Sequence, residues 1–368
     1  MHTLVKDLVR PGAGAVAPRG GPVGALLLLV SFAAPIDAQD FVFPSGLTFA
    51  PDGSLIMADR GAHYVFRIDP ETGRTEAIVG TGVSGFAGDG GPASEAVVSA
   101  PEWVEFDPDG NLILADRANH RVRLIEAETG VIRTIVGTGR EESTGDGGPA
   151  TEASITNPFG LELDAAGNLF IWDTEAHRIR RVDAETGVIT TVVGTGEQGF
   201  SGDGGPGTRA TMFRPHNGRF DADGRLVFGD SFNQRIRRWD PESGVIETIA
   251  GIGEQGSSPH GTPANDAMFM YFGAMVFEPD GDLVFTSLDA RILRIDADTW
   301  TLDVVAGTGE NGYSGDGGPA LEAELQTPYG LARGPDGDLY FSDASNGAVR
   351  VIDGATGVIR TLSTGVAR

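Results

Sequence analysis

The stretch "PFGLELDAAGNLFIWDTEAHRIRRVDAETGVITTVVGTG" runs from Pro158 to Gly196 and decides the fold. It contains four short segments with the apolar pattern of β-strands. The segments are Gly160–Asp164, Leu169–Asp173, Arg178–Asp183 and Val188–Val193. The hairpin turn "DAAGN" joins the first and second segments, and the turn "AETG" joins the third and fourth. The loop "TEAH" joins the second and third segments. Helical periodicity is limited to a turn at "PASEAV" and its equivalents. The stretch therefore predicts four antiparallel strands, A to D.

Six copies of this pattern follow one another along the chain. The residue that closes strand B recurs every 57 residues, and after 56 at the last step. It is Asp59, Asp116, Asp173, Asp230, Ser287 and Asp343 in turn. A fixed period of this length indicates a repeat architecture, and a β-solenoid would be expected to have much shorter repeats. We therefore predict an all-β fold, a six-bladed β-propeller of four-stranded blades over residues 44–368. Strand D of the sixth copy is nearly complete, and Phe41–Phe43 are available to pair at the closure.

The repeats resemble those of the NHL-repeat family over essentially the whole chain after residue 38. The segments that carry the resemblance are "GNLILADRANHRVRLI" (Gly110–Ile125), Gly160–Asp183 and "GLARGPDGDLYFSDASNGAVRVID" (Gly330–Asp353). The resemblance implies the propeller fold. It does not select a function, because propellers host enzymes, sensors and scaffolds alike.

The N-terminal segment differs from the repeats. Basic residues precede a short apolar run, Gly24–Ala34, and a small residue, Ala38, stands at a plausible cleavage point. The run is too short for a transmembrane helix. We predict a secretory signal peptide over residues 1–38 and a propeller over residues 39–368, with a retained N-terminal anchor as the alternative. The expected location is secreted or periplasmic, with no membrane span after signal cleavage.

The chain of 368 residues is strongly acidic, with a net charge of −25 and no cysteine. The predicted signal peptide carries one net positive charge, so its removal would leave −26 and no lysine. Such a surface repels phosphate backbones, which argues against a nucleic-acid partner. The absence of cysteine excludes disulfides, thiolate catalysis and thiolate metal ligands. We expect a monomer that is stabilised by packing.

Two sets of repeated polar residues have structural and functional interpretations. The phrase "GDGGPA" places aspartates among glycines, as in calcium or phosphate sites, but one carboxylate per loop is too few for a calcium cage. These aspartates are Asp89, Asp146, Asp203 and Asp316. Histidines and arginines recur at the start of strand C, and three histidines at equivalent places suggest a metal site. They are His63, His120, His177, Arg121, Arg178 and Arg235. We interpret both sets as structural, because equivalent positions in different blades lie far apart away from the axis.

The residue after the proline that opens strand A is expected at the mouth of the central channel. In blade order this ring is Ser45, Glu102, Phe159, His216, Gly273 and Tyr329. Glu102, His216 and Tyr329 fall in alternate blades, a spacing suited to shared ligation or acid–base work. Arg60 and Arg117 begin B–C loops on the same face, and Trp103, Glu105, Asn217 and Arg219 lie nearby. We therefore predict catalytic roles for His216, Glu102, Tyr329, Arg117 and Arg60.

The mouth is also similar to that of peptidylamidoglycolate lyase, a six-bladed relative. The resemblance implies a zinc-binding histidine in "PHNG", at His216, and an active-site arginine in an "ADR" segment, at Arg60 or Arg117. The other ring positions hold no histidine, so a three-histidine zinc site is not expected. A looser site formed by His216, Glu102 and Asn217 for Ca, Zn, Mn or Fe remains a candidate. Lactonase-type six-bladed propellers imply a comparable metal, with Glu102 and Asn217 as the nearest counterparts.

Two functions remain open from the sequence. The first is a secreted propeller that binds a protein, glycan or small-molecule ligand on its top face, and the irregular fifth copy from Ser257 to Tyr271 supports it. The second is a lyase, hydrolase or lactonase that acts at the channel mouth. In that case His216 and Glu102 hold a metal or act without one, Tyr329 is an acid, base or orienting group, and an arginine binds an anionic substrate. A purely structural role in the cell envelope is a third alternative.

Overall fold

The computed structural model describes residues 40–365, and the predicted signal peptide lies outside this range. Six antiparallel sheets each have the strand order A, B, C, D. Strand A spans Pro44–Phe49, Pro101–Phe106, Pro158–Leu163, Pro215–Phe220, Phe272–Phe277 and Pro328–Arg333 in blades 1 to 6. Strand B spans Leu55–Asp59, Leu112–Asp116, Leu169–Asp173, Leu226–Asp230, Leu283–Ser287 and Leu339–Asp343.

The outer strands follow the same repeat. Strand C spans Tyr64–Ile68, Arg121–Ile125, Arg178–Val182, Arg235–Trp239, Arg291–Ile295 and Ala348–Ile352. Strand D spans Thr75–Val79, Ile132–Val136, Ile189–Val193, Val245–Ala250, Thr301–Ala306 and Ile359–Ser363. Two-residue strands, Gly205–Pro206 and Thr262–Pro263, add to strand D of blades 4 and 5. Single 3₁₀ turns occupy the D–A loops at Ala93–Glu95, Gly207–Arg209, Ala264–Asp266 and Ala320–Glu322. Four more follow strand B at Arg117–Asn119, Thr174–Ala176, Ser231–Asn233 and Ala344–Asn346.

The six A strands form a closed inner ring. Each contacts the A strand of the next blade, and that of blade 6 contacts that of blade 1. Asp40 pairs with Gly365, and the N–H of Phe41 donates to the carbonyl of Thr364 at 3.2 Å. The prediction of six blades without a borrowed strand is therefore confirmed. No helix among residues 40–365 is long and apolar enough to cross a membrane.

The repeated aspartates and arginines form one buried ladder in each of four blades. In blade 3, Arg180 of strand C donates to Asp146 of the D–A loop at 2.6 Å and lies 3.8 Å from Asp173. Arg180 and Asp173 are almost completely buried. Equivalent triads are Asp89–Arg123–Asp116, Asp203–Arg237–Asp230 and Asp316–Arg350–Asp343. Each "GDGGPA" aspartate thus anchors its loop to the following blade, a structural role that the sequence did not specify.

The arginines that open strand C donate to backbone carbonyls of the same blade. Arg178 donates to the carbonyl of Thr195 at 2.9 Å, and Arg121 donates to the carbonyl of Thr138 at 2.7 Å. The strand B aspartates accept backbone N–H groups, from Ser99 to Asp116 at 2.8 Å and from Thr156 to Asp173 at 2.6 Å. The arginine two residues later in strand C lies near the strand B aspartate instead, with Arg123 3.6 Å from Asp116 and Arg180 3.8 Å from Asp173.

The three repeated histidines connect neighbouring blades. His63, His120 and His177 adopt the left-handed conformation, with φ of 53 to 59°. Nδ1 of His177 accepts the N–H of Arg214 in the next blade at 3.2 Å, and His63 accepts that of Ala100 at 3.0 Å. The "GTG" glycines pack against the same turn, since a Cβ on Gly194 would lie 2.3 Å from the carbonyl oxygen of His177. The histidines are structural, as interpreted.

Candidate functional site

The channel mouth is built by the first residues of the A strands. A register shift follows the opening proline in each blade, so that the next side chain is displaced from the regular alternation. Phe272 takes the proline position in blade 5, which confirms the assignment of Gly273 to the ring. Five ring residues are buried: Ser45, Glu102, His216, Gly273 and Tyr329.

Glu102 holds two arginines at the mouth. Its carboxylate lies 3.5 Å from Nη1 of Arg60 and 3.4 Å from Nη1 of Arg117. Glu102 is 1% exposed, whereas the two arginine side chains are 27% and 25% exposed. Both separations are longer than a charge-assisted hydrogen bond, so the guanidinium groups keep donors for another partner. The structure brings together three of the five predicted catalytic residues in this group.

Aromatic rings support both arginines. Arg60 lies 3.7 Å from the ring centroid of Phe43 and 5.2 Å from that of Tyr329. Arg117 lies 4.4 Å from the ring centroid of Phe159. Such cation–π contacts orient a guanidinium without using its N–H donors. The arginines are thereby held in place with their polar edges available.

Tyr329 joins the group beside Glu102. Its side chain is almost completely buried, and burial together with the charge of Glu102 raises the pKa of Tyr329 well above its usual value of 10. The phenol is therefore protonated at neutral pH and acts as a hydrogen-bond donor or acceptor. A role as a general base at neutral pH is unfavourable for this residue.

His216 lies in the neighbouring part of the ring. Its imidazole stacks on Phe159, with centroids 4.5 Å apart and an interplanar angle of 15°. Nδ1 lies 2.8 Å from the carbonyl oxygen of Phe272, so Nδ1 carries the proton and Nε2 carries the lone pair. Burial lowers the pKa of His216 to about 4, and the nearby positive charges of Arg117, Arg214 and Arg60 act in the same direction. His216 is a neutral imidazole at pH 7.

Asn217 lies one residue further into the channel. Its Oδ1 accepts the N–H of Gly218 at 2.6 Å, which turns the amide oxygen toward its own backbone. The Nδ2 group is buried, and none of residues 40–365 accepts a hydrogen bond from it. Asn217 therefore offers a donor rather than an oxygen ligand.

A rim of aromatic side chains extends from His216 toward blade 5. Phe232 lies 6.0 Å from His216 and 4.4 Å from Tyr271, measured between ring centroids. Phe213 contacts Phe232 at 5.1 Å. These rings are half-buried, and the sequence analysis did not identify Phe232 or Phe213 as part of the site. The aromatic residues are visible in the "FRPH" and "SFN" segments of the sequence. Their proximity, however, results only from the packing of the folded chain.

The predicted metal site has an unsuitable environment in this arrangement. Both oxygens of Glu102 face arginines, and Oδ1 of Asn217 is used by Gly218. Over residues 40–365, no group of three His, Cys, Asp or Glu side chains is placed to hold a metal ion. A divalent cation next to two guanidinium groups would also be repelled. Metal binding by His216, Glu102 and Asn217 remains a prediction.

A second polar cluster lies deeper along the A strands. Arg219 contacts Glu105 at 3.1 Å and also contacts Glu162. Thr48 donates to Glu105 at 3.2 Å. Burial raises the pKa of Glu162 to about 7, against the opposing effect of Arg219. The three charged groups satisfy one another and hold three A strands together in the ring. Sequence analysis placed Glu105 and Arg219 near the mouth but missed Glu162, which occupies the same position in blade 3.

Comparisons with known proteins agree on the repeat. The model of the teneurin NHL domain matches residues 138–201. NHL repeat-containing protein 2 of Bos taurus is 26% identical over 303 residues, which cover 72% of this chain and 41% of that protein. Teneurin-1 of Mus musculus is 27% identical over 350 residues, which cover 84% of this chain and 12% of that protein. The chain thus spans less than half the length of either relative.

Solved structures share the propeller fold at low identity. An auxiliary nutrient binding protein from Bacteroides thetaiotaomicron has a TM-score of 0.60 at 17% identity, with 83% of this chain and 67% of that chain covered. A candidate gluconolactonase has a TM-score of 0.55 at 14% identity, with 92% and 97% covered. A streptogramin B lyase has a TM-score of 0.52 at 14% identity, with 83% and 92% covered. At this identity the likeness concerns the fold alone.

Proposed function

Since the chain is an NHL-repeat β-propeller, we propose that its channel mouth binds a small anionic ligand. The observation that carries the proposal is the pair of half-buried arginines, Arg60 and Arg117, on one buried glutamate. Two guanidinium groups that share one carboxylate and keep free N–H donors suit the oxygens of a carboxylate or phosphate. Such a ligand would occupy the top face that the sequence analysis assigned to ligand binding.

Local charge supports an anion despite the acidity of the whole chain. The negative charge of Glu102 offsets the positive charge of one of the two arginines. The pKa shifts of His216 and Tyr329 leave the imidazole and the phenol neutral at pH 7. The mouth group therefore carries one net positive charge in a protein of net charge −25. The concave, partly desolvated position strengthens the attraction for an anion.

The ligand we propose also carries a flat ring. Phe159 and His216 stack beside Arg117, and Phe232 and Tyr271 continue the aromatic rim from His216 toward blade 5. Planar rings stack on such surfaces at low entropic cost. An aryl or heteroaryl phosphate or carboxylate thus matches both the charge and the shape of the mouth.

Metal-free acid–base catalysis on such an anion is a second candidate, and one observation favours it. The bond between Nδ1 of His216 and the Phe272 carbonyl fixes the tautomer that leaves Nε2 as a proton acceptor. Tyr329 would supply a phenolic donor, while Arg60 and Arg117 would bind the anionic group. A lyase, hydrolase or lactonase activity lost in His216→Gln, with ligand affinity retained, would support this candidate; equal activity would exclude it.

Calorimetric titration of residues 39–368 with phenylphosphate tests the proposed binding. The informative variant is the triple substitution Arg60→Gln, Glu102→Gln and Arg117→Gln, which avoids a buried carboxylate without a cation. Loss of two charge-assisted contacts should weaken binding by at least about 100-fold. Arg209→Gln makes a similar change at an exposed position of the D–A loop before blade 4 and should alter affinity less than about twofold.

The same titration has two outcomes that would overturn the proposal. Undetectable binding by the folded parent chain at millimolar phenylphosphate would do so. Equal affinity in the parent and the triple variant would place any anion elsewhere on the surface.

A further inference from the structure

An apolar cavity lies between blades 2 and 3, on the face opposite the channel mouth. Its volume is about 300 Å³. The walls include Ile113, Leu124 and Ile135 from blade 2 and Leu163, Leu169 and Val182 from blade 3. The A–B turns of both blades border it, together with residues 149–151 of the intervening D–A loop. This cavity is separate from the group formed by Glu102 and its arginines.

The cavity exists because this blade interface lacks the large side chains found at the others. Leu163 ends strand A of blade 3, where blades 1, 2, 4 and 5 have phenylalanine. Phe220 of blade 4 packs edge-to-face on Phe170 of blade 3 at 5.1 Å. Phe49 of blade 1 packs in the same way on Tyr340 of blade 6 at 5.0 Å. At the blade 2–3 interface the corresponding pair is Ile113 and Leu163, and neither has an aromatic ring.

Two further substitutions open the same space. Leu124 occupies the strand C position that holds Arg67, Arg181, Arg238 and Arg294 in blades 1, 3, 4 and 5. Ala166 occupies the A–B turn position where the other five blades have aspartate. Both changes remove long or charged side chains and leave apolar surface. Three departures from the repeat therefore coincide at one interface.

Arg133, the one basic residue of the lining, is offset by Glu126, and the other charged lining residues, Asp107 and Asp109, are acidic, so the apolar walls and this edge favour an uncharged occupant over an anion. Nε of Arg133 lies 3.6 Å from Glu126, and Asp107 accepts hydrogen bonds from the backbone and side chain of Asn111. Apolar cavities of this size hold apolar molecules rather than ordered water. We propose that the blade 2–3 interface is a binding site for a compact, uncharged, ring-containing apolar molecule.

Fluorescence titration with 1-aminoanthracene, a neutral tricyclic probe, tests this site. The parent chain should bind one probe molecule saturably, with a Kd on the order of 10–100 µM. Leu163→Phe places in blade 3 the residue that four other blades carry, so it should fill the cavity without lowering Tm. Probe affinity should fall by at least about 10-fold in this variant. Leu321→Phe, at a 56% exposed position, adds the same ring elsewhere and serves as the control.

The probe affinities of the parent and the variants together decide whether the cavity is the binding site. Ala166→Asp restores the repeat residue at a second wall and should also weaken binding, which provides an independent check if Leu163→Phe folds poorly. Equal probe affinity in the parent, Leu163→Phe and Ala166→Asp would overturn the proposal, as would the absence of saturable binding by the parent. The mouth triple variant should bind the probe like the parent, so this test is independent of the anion site.

Discussion

His216 and Phe159 stack face to face at the channel mouth, with ring centroids 4.5 Å apart and planes inclined by 15°. They occupy the same strand A position in neighbouring blades. The stack and the bond to the Phe272 carbonyl bury an ionisable ring in its neutral form. This arrangement makes stability depend on pH in a defined direction.

We predict that His216 destabilises the folded chain progressively between pH 6.5 and pH 4. Burial lowers the folded-state pKa of His216 to about 4, against 6.5 in the unfolded chain, so the unfolded chain binds more protons in this range. The stability that the neutral histidine contributes is present above pH 6.5 and is lost as pH falls toward 4. The change amounts to roughly 3 kcal/mol for this shift.

Urea unfolding of the parent and His216→Gln at pH 7.5 and pH 4.5 measures this dependence. The parent should lose roughly 2–3 kcal/mol more of its unfolding free energy than the variant over that interval. His260→Gln, at a surface position, controls for the loss of a histidine as such. An equal loss in parent and His216→Gln would show that His216 does not remain neutral in the fold.

Replacement of Arg180 by methionine should be strongly destabilising. The variant leaves Asp173 buried with its nearest cation removed, and loss of one partner of a buried pair costs about 3–5 kcal/mol. Arg181→Met removes the neighbouring, partly exposed pair with Asp183 and should cost less than about 1 kcal/mol. Urea unfolding at pH 7.5 measures the loss of unfolding free energy in each variant. Similar losses in the two variants would contradict the conclusion that the Asp–Arg ladder is the main anchor of the loop.

Arg219→Met should destabilise the channel in a manner that depends on pH. At pH 8 the variant leaves Glu105 and Glu162 as neighbouring carboxylates, with an expected cost of about 3–5 kcal/mol. The cost should fall at pH 5, because protonation removes the repulsion and burial already raises the pKa of Glu162 to about 7. Measurement of the unfolding free energy at pH 8 and at pH 5 tests this dependence. Arg333→Met, which removes a more exposed ion pair, is the control. A cost that is independent of pH would contradict the assignment.

His177→Ala should weaken the contact between blades 3 and 4. The variant loses the bond from Arg214 N–H, worth about 1 kcal/mol, and places alanine at a φ of 55°. His177→Gly loses the same bond without the left-handed penalty, and blade 6 already has Gly347 at this position. Thermal unfolding should therefore rank the stabilities as parent, glycine and alanine. A variant order with alanine above glycine would contradict this explanation of the repeated histidines.

The period and the strand patterns were sufficient to predict the fold. The B strand of the third copy was placed at Leu169–Asp173, the range that the structure shows, because hairpin signals bound it on one side and the recurring aspartate on the other. The mouth ring followed from the same period, including Gly273 without its proline. Because the pattern repeats, each strand predicted in one copy can be checked against the other five copies.

The contacts between blades were not predictable in the same way. Sequence spacing placed Glu102, His216 and Tyr329 in one ring, but not the capture of Glu102 by two arginines or the stack of His216 on Phe159. These contacts depend on rotamers and on the distance between blades. The Asp–Arg ladder was within reach, since Arg123, Arg180 and Arg237 recur at the same period.

The most direct measurement of the anion site is anomalous diffraction from crystals soaked with 4-bromophenylphosphate. We expect bromine at the aromatic rim and phosphate oxygens within hydrogen-bond distance of both Arg60 and Arg117, at about 2.7–2.9 Å. An empty mouth at a concentration that saturates the protein in solution would contradict it. A phosphate bound elsewhere, with both guanidinium groups unaltered on Glu102, would contradict it equally.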